Sequence, residues 1–310
     1  GGAGPGGAPS GRLQGVEQEG EKTMGKIVIV GSGPAGCSAA LYAARAGQEV
    51  VVISMGMGAL SKAELIQNYY GFEEGITGAE LYRQGVAGAK AVGAEFITAE
   101  VVGLDYTGSL VVQTTEGDYP ADAVIMATGT GRIAPKIAGL AEHEGRGVSY
   151  CATCDAFFYR GKTAAVLGSG EYALHEVQAL LPLAGKVILC TNGEPLTADF
   201  PEGVEICTEK LAAVEGEEKV SALRLENGEL LPVEGLFVAL GVAGSAALAR
   251  KLGAPVENGR IVVDEKMQTG IPGLFAAGDC TGGMLQVCKA VYEGALAATE
   301  AIKMLRGKKR

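Results

Sequence analysis

Two glycine-rich turns, each between an apolar strand and a helical pattern, constrain the fold of this chain more than any other feature. The first turn consists of Gly31, Ser32, Gly33, Pro34, Ala35 and Gly36. The second runs from Gly168 to Ala173 with the letters GSGEYA. Strand, glycine turn and helix in this order begin a βαβ unit of a parallel sheet. The sequence therefore predicts two nucleotide-binding units in one chain.

The first turn has the spacing that a pyrophosphate site requires. Its first glycine permits a tight turn, its second lets the backbone approach the phosphates, and its third lets the helix pack closely on the strand. The N-terminus of the helix adds partial positive charge. Valine at Gly33 is predicted to exclude the ligand and to destabilise the protein. The next strand ends at Ser54, where such sites usually have an acidic residue that binds ribose.

The order of the remaining strands predicts that one domain is inserted into another. A strand at 123–126 ends in Ala127-Thr128-Gly129, one at 236–240 ends at Gly241, and a helical pattern runs from about Leu285 to Leu305. We predict an α/β fold of two Rossmann-like, three-layer nucleotide-binding domains, the second inserted into the first. Their predicted bounds are 24–136 with 245–310 for the first domain, 141–242 for the second, and 1–23 for a disordered leader rich in Gly and Pro.

A pair of cysteines, Cys151 and Cys154, precedes the second glycine turn and is separated by two residues. Two thiols at this spacing close a small disulfide that is easily reduced, and one of them commonly has a lowered pKa. A structural zinc site needs four ligands. The chain has no second CxxC, and His143 and His175 match no zinc-finger spacing. The pair is therefore predicted to be a redox dithiol, and no metal site is predicted.

Composition narrows the cellular setting and the partners. Seven cysteines in 310 residues are too few for a secreted disulfide framework, which favours a cytoplasmic location. Cys37, Cys190, Cys207 and Cys288 lie in apolar segments and are predicted to be small buried side chains. A net charge of −10 argues against nucleic acid as a partner. No apolar stretch reaches the roughly 18 residues of a membrane span, so no membrane partner is predicted.

Three motifs in fixed order give the chain a family resemblance. GSGPAG near the start, CATCD before the second turn and PGLFAAGD before the last helix are similar to those of the low-molecular-weight thioredoxin reductase family, from about 26 to 305. The resemblance implies a homodimeric flavoprotein disulfide reductase that binds FAD in the outer domain and reduces thioredoxin. By resemblance, Cys154 faces the flavin, Cys151 attacks thioredoxin and Asp155 protonates the leaving thiolate. The implied FAD-binding residues are the first turn with Asn68, Thr128, Gly129, Gly278, Asp279 and Gln286.

The electron donor is the point on which the sequence departs from most members of that family. No arginine lies between Lys186 and Lys210, where a 2′-phosphate of NADPH is normally bound, and Leu285-Gln286 replaces an Arg-Gln pair. This pattern resembles the branch that takes electrons from reduced ferredoxin. Because the second glycine turn is retained, NADH and NADPH remain open as donors. The sequence is also compatible with an oxidase of small dithiols and with a non-catalytic FAD-binding sensor.

Overall fold

The computed structural model describes residues 25–129, 136–150, 152–240 and 245–307, and residues 153, 154 and 245 by their backbone alone. The predicted leader at 1–23 lies outside these residues. The α-helices within them are α1 (Pro34–Arg45), α2 (Gly78–Ala91), α3 (Ala152–Asp155), α4 (Glu171–Leu180), α5 (Ser245–Lys251) and α6 (Val287–Gly307). Short 3₁₀ helices span Gly58–Lys62, Ala156–Tyr159 and Asp279–Thr281.

The strands are β1 (Lys26–Val30), β2 (Glu49–Ser54), β3 (Glu95–Thr98), β4 (Val101–Tyr106), β5 (Leu110–Thr114), β6 (Gly117–Ala121), β7 (Ala123–Met126), β8 (Val148–Ser149), β9 (Thr163–Leu167), β10 (Lys186–Cys190), β11 (Glu205–Cys207), β12 (Leu211–Glu215), β13 (Ala222–Leu225), β14 (Leu230–Pro232), β15 (Gly235–Val238), β16 (Val256–Glu257), β17 (Arg260–Ile261) and β18 (Leu274–Ala276). They form two five-stranded parallel sheets and three smaller antiparallel ones.

The first parallel sheet has the strand order β18-β7-β1-β2-β3. Its central strands are apolar and buried along nearly their whole length, as expected for parallel strands that are covered on both faces. Helices α1 and α6 pack against each other beside this sheet, through alanines such as Ala39 and Ala298 that let the backbones approach closely. The carboxyl ends of β1, β7 and β18 therefore meet at one edge, next to the first glycine turn.

The second parallel sheet has the order β11-β10-β9-β15-β8, and its strands lie between β7 and β18 in the chain. It repeats the local pattern of the first sheet, because β9 leads through the second glycine turn into α4 and then to β10. The predicted α/β fold with two Rossmann-like units is confirmed. The predicted residue bounds of the domains stay a prediction.

Element ends differ from the prediction where local chemistry overrides helical periodicity. Helix α4 ends at Leu180 and not near Leu183. Leu181 still has helical backbone and donates to the carbonyl of Val177, but the next residue, Pro182, has no N–H with which to continue the helix. Helix α6 begins at Val287, two residues later than predicted. The backbone carbonyl of Gln286 already accepts a hydrogen bond from Ala290, so Gln286 lies at the start of this helix without belonging to it.

One apolar cluster connects the two parallel sheets. It contains Val30 of β1 and Val166 of β9, together with Ala152 and Ala156 from the segment of the CxxC motif. All four side chains are buried. The segment that carries the dithiol thus packs into the core that both sheets share. Among the described residues, no helix combines the length and the hydrophobicity needed to cross a bilayer.

Candidate active site

A cavity of about 750 Å³ lies at the carboxyl edge of the first parallel sheet. The predicted cofactor-binding residues that line it are Gly31, Ser32, Gly33, Pro34, Ala35, Asn68, Thr128, Gly129, Gly278, Asp279 and Gln286. Residues far apart in the chain thus meet around one space. Gly36 is the predicted residue that does not line the cavity. A Cβ there would collide with the carbonyl oxygen of Gly31, so this glycine lets α1 pack on the turn.

The first glycine turn fits a pyrophosphate. Gly31 has φ of +110°, a conformation that favours glycine. Gly33 has an extended backbone, and a Cβ built there would have no described atom beyond its chain neighbours within 4 Å, because it would project into the cavity. Helix α1 begins next to it with Pro34 at its start and no side-chain cap. The N-terminus of α1 therefore faces the cavity with positive potential that an anionic ligand can use.

Two polar groups elsewhere on the cavity wall also suit a bound flavin nucleotide. The hydroxyl oxygen of Thr128 is buried and has no hydrogen-bond partner among the described residues, so a ligand in the cavity could satisfy it. Asn68 donates a hydrogen bond from Nδ2 to Oε1 of Gln286 over 2.9 Å. This bond joins two residues that were predicted separately, 218 positions apart in the chain.

A cluster of hydroxyl groups replaces the acidic residue that commonly follows the second strand. Ser32 donates from Oγ to Oγ of Ser54 over 2.7 Å, and its Oγ lies 3.1 Å from the hydroxyl of Tyr82. Both serines line the cavity. Ser54 and Tyr82 are not among the site residues that the sequence predicts. The missing acid at position 54 signals a different contact, but only the fold brings Tyr82 to it.

The turn at Gly278 and Asp279 is held from α6. Gly278 has φ of +85°, and a Cβ there would lie 2.9 Å from that of Ala35, so a side chain would crowd the turn. Its N–H donates to Glu293 over 2.8 Å, and its carbonyl accepts from Nζ of Lys289 over 2.8 Å. Lys289 and Glu293 form an ion pair of 3.0 Å. Sequence reasoning does not identify this pair, although its i,i+4 spacing is a usable signal.

The CxxC motif enters the short helix α3. Cys151 and the side chain of Cys154 lie outside the described residues, so their contacts stay predictions. Asp155, the last residue of α3, is described: its Oδ2 accepts a hydrogen bond from Oγ of Ser149 over 2.7 Å. Ala152, between the two cysteines, is fully buried. The predicted acid–base residue is thus held in a defined position one residue after Cys154.

Asp155→Asn is expected to slow thioredoxin reduction by roughly 100-fold without loss of FAD. Asparagine keeps an oxygen that can accept from Ser149 but cannot transfer a proton. Steady-state turnover from pH 6 to 9, roughly the range in which thiols titrate, measures the effect. Asp118→Asn, at an exposed position in β6, is the matched control. A wild-type rate across this range in Asp155→Asn would remove Asp155 from the mechanism.

The prediction of buried cysteines is correct for two of the four. Cys37 and Cys190 are buried, and burial raises the pKa of the Cys37 thiol to about 12. Cys207 is partly buried. Cys288 is exposed, contrary to the prediction, because α6 is amphipathic and turns Ala290 and Ala297 inward while position 288 faces solvent.

Comparison with known proteins identifies the family. The model of the pyridine nucleotide-disulphide oxidoreductase family matches residues 25–294. The chain belongs to this family. It is 36% identical to a thioredoxin reductase of Aquifex aeolicus, over 92% of this chain and 94% of that protein.

Two solved structures are similar to this member of the pyridine nucleotide-disulphide oxidoreductases over 92% of its chain and 99% of theirs. The atypical thioredoxin reductase TRi of Desulfovibrio vulgaris Hildenborough superposes with a TM-score of 0.86 and 39% identity. A ferredoxin-flavin thioredoxin reductase of Clostridium acetobutylicum gives 0.70 and 35%. The chain is an FAD-dependent oxidoreductase with thioredoxin-disulfide reductase activity, as the resemblance implied.

Proposed function

We propose that this thioredoxin reductase receives its electrons from reduced ferredoxin and not from NADPH. FAD would be held by the residues that line the cavity, and it would carry two electrons from the donor to the dithiol. The observation that carries the proposal is the environment of the second glycine turn. In pyridine-nucleotide enzymes such a turn binds the pyrophosphate at the N-terminus of the following helix.

Two carboxylates lie at the N-terminus of α4. Glu171 is its first residue and directly follows the glycine turn. Burial and the nearby Glu171 carboxylate raise the pKa of Glu100, while a hydrogen bond from the backbone N–H of Tyr172 lowers it. That N–H belongs to the first turn of α4, where a phosphate oxygen would otherwise accept. A dinucleotide must therefore compete with an internal carboxylate and approach a second one.

The chain also folds back over the turn itself. The backbone N–H of Thr197 donates to the carbonyl oxygen of Ser169 over 2.8 Å. The hydroxyl of Thr197 lies 3.0 Å from the point that a Cβ on Gly170 would occupy. Gly170 is the glycine whose missing side chain normally makes room for the phosphates. The loop after β10 thus lies against the glycine turn, next to the position where a pyrophosphate would approach it.

The end of β10 offers little to the adenosine ribose. Asn192 follows this strand with φ of +56°, and its Oδ1 accepts from the backbone N–H of Leu211 over 2.8 Å. An amide side chain at the end of this strand is a candidate to bind the ribose of NADH. Because its oxygen is already engaged, Asn192 can offer that ribose only its Nδ2 donor.

NADPH as donor is the second candidate, and Lys210 is the observation that favours it. Its Cε lies 3.1 Å from the point that a Cβ on Gly193 would occupy, so its side chain passes along the loop after β10. The sequence places no cation inside this loop, so Lys210 reaches it only through the fold. An ammonium attracts a 2′-phosphate but lacks the two-pronged geometry of arginine. We therefore rank NADPH below ferredoxin, and the similarity to the Clostridium ferredoxin-flavin enzyme supports the same order.

The surface beside the dithiol suits a protein substrate better than a small thiol. Phe157 and Phe158 follow α3 and are 65% and 67% exposed. Two exposed aromatic rings next to a redox motif form an apolar contact area that a protein can cover. This favours thioredoxin over the small-dithiol oxidase. Rapid peroxide formation without thioredoxin reduction would support the oxidase instead.

The proposed exchange uses side chains of this chain alone after the dithiol is reduced. Asp155 takes the proton of the Cys151 thiol, and the resulting thiolate attacks one sulfur of the thioredoxin disulfide, which breaks its S–S bond and forms a mixed disulfide. Asp155 gives that proton to the leaving thiolate of thioredoxin. Cys154 then attacks Cys151, its own proton passes to the second thioredoxin sulfur, and reduced thioredoxin leaves with the enzyme disulfide formed. One disulfide is reduced and one is formed, and both enzyme thiol protons end on thioredoxin, so electrons and protons balance.

Anaerobic titration tests the donor. We expect reduced ferredoxin to bleach the flavin absorbance completely. NADPH should do so at least about tenfold more slowly, because no arginine pairs with its 2′-phosphate to offset the cost of desolvation. NADH is the third arm. Complete and rapid bleaching by NADPH, with matching thioredoxin turnover, would overturn the proposal.

A variant at Glu171 tests whether its charge repels NADPH, and the ferredoxin-dependent rate shows whether the enzyme is otherwise intact. Glu171→Gln should raise the NADPH-dependent rate by about fivefold, since it removes one repulsive charge at the turn. The ferredoxin-dependent rate should not change. Glu226→Gln, a change in charge on the β13–β14 turn, is the matched control. An equal NADPH-dependent rate in both variants would show that Glu171 does not repel the dinucleotide.

A further inference from the structure

Two residues of α4 contact the peptide groups on either side of Cys151. The hydroxyl of Tyr172 donates to the carbonyl oxygen of Tyr150 over 3.1 Å. One turn later on the same helix face, Oε2 of Glu176 accepts from the backbone N–H of Ala152 over 2.5 Å. Tyr150 and Ala152 are the covalent neighbours of Cys151. A single helix therefore fixes the backbone before and after the first cysteine of the motif.

Lys251 of α5 contacts the side chains of both Glu176 and Tyr172. Nζ of Lys251 lies 2.6 Å from Oε1 of Glu176, and both side chains are almost fully buried, at 3% and 1% exposure. The Lys251 ammonium also lies 5.3 Å from the centre of the Tyr172 ring. It donates to the carbonyl oxygen of Val102 in β4 over 3.4 Å. Val101, the neighbouring residue, lines the cofactor cavity.

A buried ion pair of this kind contributes little net stability, because the desolvation of both charges offsets their attraction. Burial would raise the pKa of Glu176, but hydrogen bonding from His175 and the Lys251 ammonium hold it below its usual value. Burial and the Glu176 carboxylate raise the pKa of Tyr172 well above its usual value. Glu176 is thus an anion balanced by Lys251, and Tyr172 keeps the proton that it donates to Tyr150.

We propose that Tyr172, Glu176 and Lys251 form a clamp that positions the Cys151 peptide backbone and ties it to the wall of the cofactor cavity. They are positioning residues, since they act on the dithiol through its backbone. The two carboxylate oxygens of Glu176 bind different elements. Oε2 accepts from Ala152 in the CxxC segment, and Oε1 accepts from Lys251 of α5. The balance of charge between Glu176 and Lys251 also sets the electrostatic potential beside Cys151.

The first test follows the reactivity of Cys151 in the reduced holoenzyme. Iodoacetamide alkylation of Cys151 is measured against pH by peptide mass spectrometry, and the midpoint reports the thiol pKa. Glu176→Gln leaves the Lys251 cation, which favours the thiolate, so the midpoint should fall by about one pH unit. Lys251→Met leaves Glu176 with its hydrogen bonds from His175 and Ala152, which favour the carboxylate, so the midpoint should rise by about as much.

The double variant and a control complete this test. Glu176→Gln with Lys251→Met should return the midpoint close to the wild-type value, because both charges are gone. Lys303→Met breaks a surface ion pair on α6 and should leave the alkylation midpoint of Cys151 unchanged. The other charged or titratable groups around the clamp stay constant in all variants; they are Glu100, Glu171, Tyr150, His175, Arg250, Glu144 and Asp155. Shifts of the same sign in both single variants, or no shift, would overturn the proposal.

Tyr172→Phe is the second test and stays informative if a charge variant fails to fold. Phenylalanine keeps the ring beside Lys251 and removes only the donor to Tyr150. We expect kcat for thioredoxin to fall about tenfold with KM, FAD content and the alkylation midpoint unchanged, because only the placement of Cys151 is relaxed. An unchanged kcat would overturn the positioning role of Tyr172.

Discussion

Cys151→Ser and Cys154→Ser are each expected to reduce thioredoxin turnover to the uncatalysed rate, while FAD stays bound at full occupancy. The exchange needs one thiolate that attacks and a second that resolves the mixed disulfide, and serine does neither. Thioredoxin-dependent disulfide reduction measures the first effect, and flavin absorbance after gel filtration measures the second. The expected loss is complete in both variants because neither cysteine can replace the other.

Cys288→Ser is the control for these variants. Its thiol is exposed on α6, and the substitution should leave turnover unchanged.

The two active-site variants are expected to differ from each other in whether they trap thioredoxin. Cys151→Ser should accumulate no mixed disulfide with thioredoxin, whereas Cys154→Ser should trap one through Cys151. A covalent complex formed by Cys151→Ser and not by Cys154→Ser would reverse the proposed roles.

Gly33→Val is expected to abolish FAD binding and to leave the fold of the apo-protein intact. The valine side chain would project into the cavity that the first glycine turn borders, in the space through which the backbone approaches a pyrophosphate. Sequence reasoning alone predicts a loss of stability as well. The structure changes that expectation, because Gly33 has an extended backbone and, apart from its chain neighbours, no atom in the described part of the chain lies within 4 Å of the added Cβ. Flavin content tests the predicted loss of FAD, and thermal unfolding of the apo-protein tests whether its fold stays intact.

Gly36→Ala in the same turn provides the contrast. Its Cβ would collide with the backbone carbonyl of Gly31, which cannot move without opening the turn, so the apo-protein itself should be destabilised. Two glycines three residues apart thus separate loss of ligand from loss of fold. Full FAD content in Gly33→Val would show that the first turn does not hold the cofactor.

The sequence determined the fold class and predicted most of the residues that line the candidate cofactor cavity, because the evidence for both is local. A buried strand, a glycine turn and a helix are adjacent in the chain, and their order fixes a βαβ unit twice. The strand at Ala123–Met126 is observed at its predicted bounds, since four apolar residues between turn signals leave little choice. Residues that follow such strands, including Thr128 and Asp279, meet at one edge because the carboxyl ends of parallel strands do so.

Only the tertiary structure decided which distant side chains complete these sites. Lys251 and Glu176 are separated by 75 residues, and nothing in either segment signals that the two charges are buried together. The carboxylate of Glu100 reaches the N-terminus of α4 from the link between β3 and β4, and Lys210 passes along the loop after β10. Local patterns report backbone geometry, which depends on neighbours in the chain. Charge pairing and the closure of a binding turn depend on packing between elements, so they appear only once those elements are in contact.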